Sequence, residues 1–509
     1  MNRMLSLAVA ALSAFAAVAQ FDLGYRVELS GTASSDGNFA PYLISSNRYG
    51  DITQANGGYL RLEAWHATDT TRRLSYGFGL EAVGGYSNAI GYGRYDASAD
   101  ALQSIEHRPT ALLLQQAFAE IKYRGVLLTA GLKHHEPITV DRTLSSGDLT
   151  FSGNSRPIPE VRAGFVNFQN IPLTGGWVQI YGSFGIGKTT DSDWLTDHYN
   201  YRESFVTTGV YFSYKNIYFC TKPSQPFSVT AGIQSAMQFG GTVRHYKQGV
   251  LTKEYTDKIT FKKLLKTLVP CGDGSVGGDG FYEGNNLGTI DFAARYRFGD
   301  GTTLRAYFEM PFEDGSGMGK LNGFDGLYGL EYRAPHQGIV DAAVIEYIDT
   351  RNQSGPIHWA PDDFSGLSGH IPGHATGADN YYNNFQYCGY AHHGMAMGSP
   401  MLKSPLYNTD GYMSFTDTRV QGFHIGVRGH FCDRIEYRAL MSYRRALGNY
   451  NSPRTEVAYD TSAMLEGVYR AASVDGLQLK CQLAIDRGTL YSNNFGALIS
   501  VSYTGNLSF

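Results

Sequence analysis

Apolar and polar side chains take turns along much of this chain, most cleanly at its end. Between Phe495 and Phe509 one set reads Phe495, Ala497, Ile499, Val501, Tyr503, Gly505, Leu507 and Phe509, with no polar side chain. The interleaved set, Gly496, Leu498, Ser500, Ser502, Thr504, Asn506 and Ser508, is mostly small and polar. A period of two with one apolar face predicts a β-strand that meets a different solvent on each side. The alternation recurs in 115–123, where Ala117, Ala119, Ile121 and Tyr123 oppose Gln116, Phe118, Glu120 and Lys122. It recurs again in 177–186, 290–298 and 435–444.

About eighteen such strands are predicted by this period. They begin near residues 24, 59, 74, 114, 126, 161, 176, 204, 227, 287, 303, 327, 339, 419, 435, 461, 477 and 495. Connections from even to odd strands are short, as at 67–73, Arg124-Gly125, Cys432 to Arg434 and Asp475-Gly476. Those from odd to even strands are mostly long, including 87–113, 134–160, 240–286 and 349–418. This sidedness predicts an all-β fold, a transmembrane antiparallel β-barrel with long extracellular loops and short periplasmic turns. Propellers and sandwiches require no such asymmetry. An even strand count places both termini on the periplasmic side. The barrel must close, because an unpaired strand edge in lipid leaves backbone groups without partners. A ring of this size holds an aqueous lumen unless something fills it. Its inward sets carry both charges, in Arg295, Arg297, Arg305, Glu309, Glu331 and Arg333. They suit either a charged solute path or a cross-linked polar wall.

Composition agrees with this picture. Sixty-one Gly, 36 Tyr and 28 Phe fit short turns and aromatic girdles, and a negative mean hydropathy fits a wall with one wet face. Residues 1–19 read as a signal peptide, with Arg3, an apolar run from Met4 to Phe15, and Ala17-Val18-Ala19 before Gln20. Residues 20–509 then form one barrel domain. No later apolar run is long enough for a transmembrane helix. A net charge of −4 gives no reason to expect nucleic acid as a partner. Five cysteines cannot all pair within the chain, although Cys271 and Cys388 in the two largest loops are a candidate disulfide.

Candidate chemistry lies in the loops. In Thr256–Pro270, Phe261, Leu264, Leu265 and Leu268 form a helical stripe that Asp257 is placed to cap. Lys258, Lys262 and Lys266 line another face, suited to anionic glycan or lipopolysaccharide phosphates. The same helix would also serve as a lid. The 349–418 loop carries Trp359, Tyr381, Tyr382, Phe385, Tyr387 and Tyr390 with Asn380, Asn383 and Asn384. Aromatic faces beside amides suit sugars; they equally suit a packed plug at the barrel mouth. His370 and His374 have ligand spacing for a helix, but the intervening Ile371-Pro372-Gly373 breaks one, so no metal is expected. Asp362 and Asp363 are adjacent, which sets no catalytic separation. No nucleophile or phosphate-loop motif occurs, and the chain reads as no enzyme, without cofactors.

Several stretches resemble the capsule-assembly Wzi family, an outer-membrane β-barrel lectin family. They are LSSGDLTFSGNSRPIPEV at 144–161, GNNLGTIDF at 284–292, FDGLYGLEY at 324–332, EYIDTRNQSGPIH at 346–358, YYNN at 381–384 and HHGMAMGSP at 392–400. A last strand ending on an aromatic also resembles the closing strand of outer-membrane barrels, and the pattern is similar to the branch found in Bacteroides-like bacteria. The resemblance implies a non-enzymatic lectin that binds capsular or extracellular polysaccharide and organises the capsule at the cell surface. Outer-membrane lipid and lipopolysaccharide are the expected surroundings, with surface-exposed loops and a monomer. The N-terminal helical bundle of enterobacterial members has no counterpart, because Tyr25 to Thr32 already reads as strand. Expected glycan contacts are Arg156, Lys262, Lys266, Arg351, Trp359 and Tyr382. The alternative is a porin-like channel for saccharides or other small solutes.

Overall fold

A computed structural model describes residues 22–508 apart from 110, 262–263, 265–266, 268–283, 314–316, 320–322, 355–356, 360–375, 378 and 450. The wall begins with β1 (Asp22–Ser34), β2 (Gly57–His66), β3 (Leu74–Ser87), β4 (Leu112–Tyr123), β5 (Val126–Leu132) and β6 (Glu160–Phe165). It continues with β7 (Val178–Lys188), β8 (Tyr211–Thr221), β9 (Phe227–Phe239), β10 (Asn285–Arg297), β11 (Thr303–Phe312) and β12 (Gly326–Arg333). The last six are β13 (Ala342–Asp349), β14 (Val420–Cys432), β15 (Ile435–Gly448), β16 (Pro453–Arg470), β17 (Leu477–Gly488) and β18 (Asn494–Ser508). Gln169–Asn170 pairs with β7 as β6 does, and so prolongs β6 past a break. Each strand pairs antiparallel with the next, and β18 returns to β1 from Asp22↔Ser508 to Ser34↔Gly496. The result is a closed eighteen-stranded antiparallel barrel.

Its two surfaces follow the alternation. On β18, Ile499 and Val501 are 55% and 45% exposed on the outside, whereas Leu498, Ser500 and Ser502 are buried inside. Leu29, Leu62, Leu80, Leu128, Phe292, Ile345, Ile425 and Leu479 continue an apolar belt around the barrel. So much exposed apolar surface suits lipid, not water. Exposed aromatics flank the belt: Tyr123, Trp177, Tyr296 and Tyr469 near the short turns, Tyr86, Tyr443 and Tyr459 towards the long loops.

One predicted strand moves. The eighth, expected near residue 204, enters the wall only at Tyr211. Residues Glu203–Thr208 pair instead with Gly241–Lys247, which pairs in turn with Val250–Asp257. Gly209 and Gly240 both adopt positive φ, 68° and 67°, and so turn the chain out of the wall at matching points. Alternation continues through such a hinge and does not reveal it. The same small sheet delays the start of the predicted Thr256–Pro270 helix, because Thr256 and Asp257 are strand residues and Asp257 is no cap. Phe261 and Leu264 are helical; Lys262, Leu265, Lys266, Leu268 and Pro270 lie outside the described residues.

Loops fill the lumen. The 133–159 loop turns inward and is held along its backbone by wall side chains. Glu346 on β13 accepts from Ser145 Oγ and Ser146 N, at 2.6 and 2.7 Å. Glu309 on β11 accepts Leu149 N at 2.9 Å, and Gln234 on β9 donates to Asp148 at 2.9 Å. The predicted charged wall serves this purpose. Arg305 pairs with Glu331 and donates to Thr139 O, while Arg333 bridges Glu331 and Asp141. A second layer comes from 381–419, where Tyr382 and Tyr390 donate to Leu149 O and Thr150 O. A third is α1 (Tyr42–Ser45), packed against β16 and β17. Inward side chains around the ring, including Glu81, Gln234, Glu309, Glu346, Arg444, Asp460 and Leu498, are buried at this level.

Candidate cleft at the long-loop rim

Above that plug the long loops enclose a cleft of about 280 Å³ between the 88–111 loop, α2 (Ser192–His198) and the 391–406 segment. Trp194 and His198 are four residues apart and therefore share one face of α2. Their rings stack at 4.2 Å and 16°. His198 Nδ1 donates to Trp194 O at 2.8 Å, which places its proton there. His107, at the end of the strand Ala101–His107, stacks on His198 at 4.5 Å, and Tyr92 meets His198 edge-on. Tyr92 is anchored by its hydroxyl to Leu406 O at 2.8 Å. Asp193 and Asp197 are exposed on α2 and line the same opening.

The floor is basic. Arg156 enters from the end of the plug loop, with its carbonyl accepting from His392 Nδ1 at 2.9 Å. Thr190 N donates to His392 Nε2 at 3.1 Å, consistent with that tautomer. Burial lowers the Arg156 guanidinium to about 10, opposed by the negative charge of Asp191. Burial also takes His198 down to about 4, with His107, Arg94 and Arg156 adding repulsion. His393 falls well below its ordinary value for the same reasons. At neutral pH the cleft thus presents the half-buried Arg156, an exposed Arg108, neutral imidazoles and two exposed carboxylates. Such groups bind and orient polar ligands. Among the described residues no three His, Cys, Asp or Glu side chains are placed to hold a metal; His370 and His374 lie outside them.

The architecture is that of an outer-membrane barrel. No family model matches the sequence, and no curated protein matches it. Among solved structures the chain is similar to the Escherichia coli outer-membrane protein Wzi, involved in group 1 capsule assembly and described as a carbohydrate-binding β-barrel. That likeness has a TM-score of 0.53 at 12% identity and covers 94% of this chain and 83% of the other. Pseudomonas aeruginosa OccK5 gives 0.46 at 8% identity, covering 96% and 98%. At these identities the likeness is one of fold.

Of the expected contacts, Arg156 lines the cleft. Arg351 lies apart, paired with Asp349 at 2.6 Å, its carbonyl accepting from Arg419. Tyr382 is 2% exposed, with its hydroxyl donating to Leu149 O and accepting from Ser399 N. It belongs to the plug and offers nothing to a ligand outside. Trp359 lies in the strand Ile357–Trp359; Lys262 and Lys266 are outside the described residues. Trp194, His198, His107 and His393 are additions; in the sequence the i,i+4 spacing signals Trp194 and His198, and the 392–400 stretch contains His393. Cys388 donates to Phe205 O at 3.2 Å, and burial pushes its thiol up to about 11; Cys271 is outside the described residues.

A second, larger chamber of about 510 Å³ lies below the plug, towards the short turns. Most of its charges are paired, Arg26 with Glu28 and Glu63, Arg438 with Glu466, Lys480 with Glu28, while Arg48 donates to Gln482 at 2.7 Å.

Proposed function

We propose that this protein is a non-enzymatic outer-membrane lectin that binds capsular or extracellular polysaccharide and holds it at the cell surface. The observation that carries this reading is the cleft at the long-loop rim, set over a lumen packed with loops. Stacked rings beside carboxylates and a half-buried guanidinium suit sugars, which have an apolar ring face and a hydroxyl rim. The carbohydrate binding described for the fold neighbour Wzi supports the same reading. Long loops would face outward and both termini the periplasm, as in other barrels of this kind. Weak single grips suffice for a polymer, because each further repeat binds intramolecularly.

The test is retention of the host's own capsular glycan by the purified barrel in detergent, against a panel of unrelated glycans. Trp194→Ala is expected to weaken retention about two- to tenfold, the worth of one stacked aromatic contact of about 0.5–1.5 kcal/mol. Glycan that passes unretained, with the capsule still attached in a deletion strain, would overturn the proposal. Stable conductance in planar bilayers would favour the channel instead.

A further inference from the structure

We infer that the rim cleft selects an acidic sugar, and that Arg156 binds its carboxylate. This rests on the lectin reading above and adds the charge class of the ligand. Most arginines inside the barrel are held by carboxylates, and Arg48, Arg295 and Arg419, which are not, donate to Gln482, Pro223 O and Arg351 O. Arg61 is clamped by Asp51 and Glu81, Arg305 by Glu331, Arg444 by Asp460 and Arg454 by Asp417. Among the described residues no carboxylate lies within ion-pair distance of Arg156, and its Nε is buried without a hydrogen-bond partner. Buried donors are almost always satisfied, since an unmade bond leaves the loss of water uncompensated.

A second orphan points the same way. His393 Nδ1 is also buried without a partner, and it lines the same cleft. Two side chains on separate loops, each with an unpartnered buried nitrogen, thus line one opening, where a ligand's polar groups would complete their bonding. A guanidinium matches a single carboxylate through two parallel hydrogen bonds. The imidazoles are neutral at ordinary pH, and the cleft's other cation, Arg108, is exposed and stacked on Tyr86 at 4.3 Å, so the inner cationic charge is one, suiting a monoanion. Asp193 and Asp197, exposed on α2, are placed to accept sugar hydroxyls, which a purely anion-binding site would not provide. The small volume fits one sugar unit of a chain.

The experiment compares binding of the full barrel in detergent to the host's capsular polysaccharide before and after chemical reduction of its carboxyl groups to alcohols. A third arm uses polysaccharide from which phosphate has been removed with the carboxyls left intact. The wild type is expected to lose at least tenfold in affinity on carboxyl reduction and nothing on phosphate removal. Arg156→Gln should bind native and reduced polymers alike, at the level of wild type on reduced polymer, and Arg156→Lys should keep part of the preference. Heat-modifiable gel mobility reports that each variant is folded. Equal wild-type binding to native and reduced polymer, an undiminished preference in folded Arg156→Gln, or loss of binding only with phosphate would overturn the inference. Wild type that binds neither polymer would instead remove the lectin reading beneath it.

Discussion

Tyr382 shows how a side chain with a sugar-binding look becomes structural. Its ring packs against Tyr390 and Phe415 at 5.6 and 5.2 Å, and its hydroxyl joins two plug segments. Tyr382→Phe leaves Leu149 O and Ser399 N without that partner, so a loss of about 1–3 kcal/mol is expected in denaturant unfolding in detergent. His198 acts on the pH axis. Its folded value is about 4 against an ordinary 6.5, so between those values the unfolded chain binds a proton that the folded cleft does not. Stability is therefore complete above about pH 6.5 and falls as the pH drops towards 4. The ceiling is roughly 3 kcal/mol at about 1.4 per unit, reduced because water reaches a half-buried ring. Protease nicking at α2 should rise between pH 7 and 4.5, and His198→Gln should flatten the rise.

At the scale of elements, the 133–159 loop reverses the usual relation between loop and wall. Carboxylates on β11 and β13 bond its backbone, so the wall supplies the partners that a buried loop otherwise lacks. Gly398 allows the covering segment to lie against it, since a Cβ there would meet the Tyr382 hydroxyl and the Leu149 carbonyl. Removing residues 144–154 takes out the segment that Glu309, Glu346 and Gln234 hold. The deleted barrel is expected to conduct ions in planar bilayers where the intact protein gives no stable current. A bulge on β4 adds a smaller lesson. Register shifts at Glu81/Ala82, and Gln115, like its neighbour Gln116, turns inward, donating to Tyr49 O and to Glu81. A bulge re-aims side chains in this way, and strict alternation misassigns one of the pair.

For the whole molecule, the decisive contrast is between what lies outside the wall and what lies inside. Val501 faces outward near the middle of β18, and its neighbour Ser502 lines the charged chamber opposite Glu28. Val501→Arg is expected to cost about 2–4 kcal/mol in folding into lipid vesicles. Ser502→Arg should cost clearly less, because its side chain enters water beside a carboxylate. Equal losses at both positions would contradict the assignment of the two faces. Closure itself depends on β1–β18 pairing along both strands, so damage to either end should lower heat-modifiable folding more than equal damage in a loop.

The wall was legible because a strand with lipid on one side and polar surroundings on the other must alternate, and Phe495 to Leu507 carries that requirement in the chain itself. Strand order, the short-turn rim and the charged inward sets follow from the same local rule. Leu498 shows its limit: an apolar residue in the wet set, it is buried because Tyr42 and its plug neighbours form an apolar core inside the barrel. Which loops turn inward, and which side chains meet at the rim, depends on contacts between residues far apart in the chain. Arg156, Trp194, His107 and His393 come from four separate loops. Local periodicity encodes what each strand faces; only the closed ring and its packed lumen bring those four together.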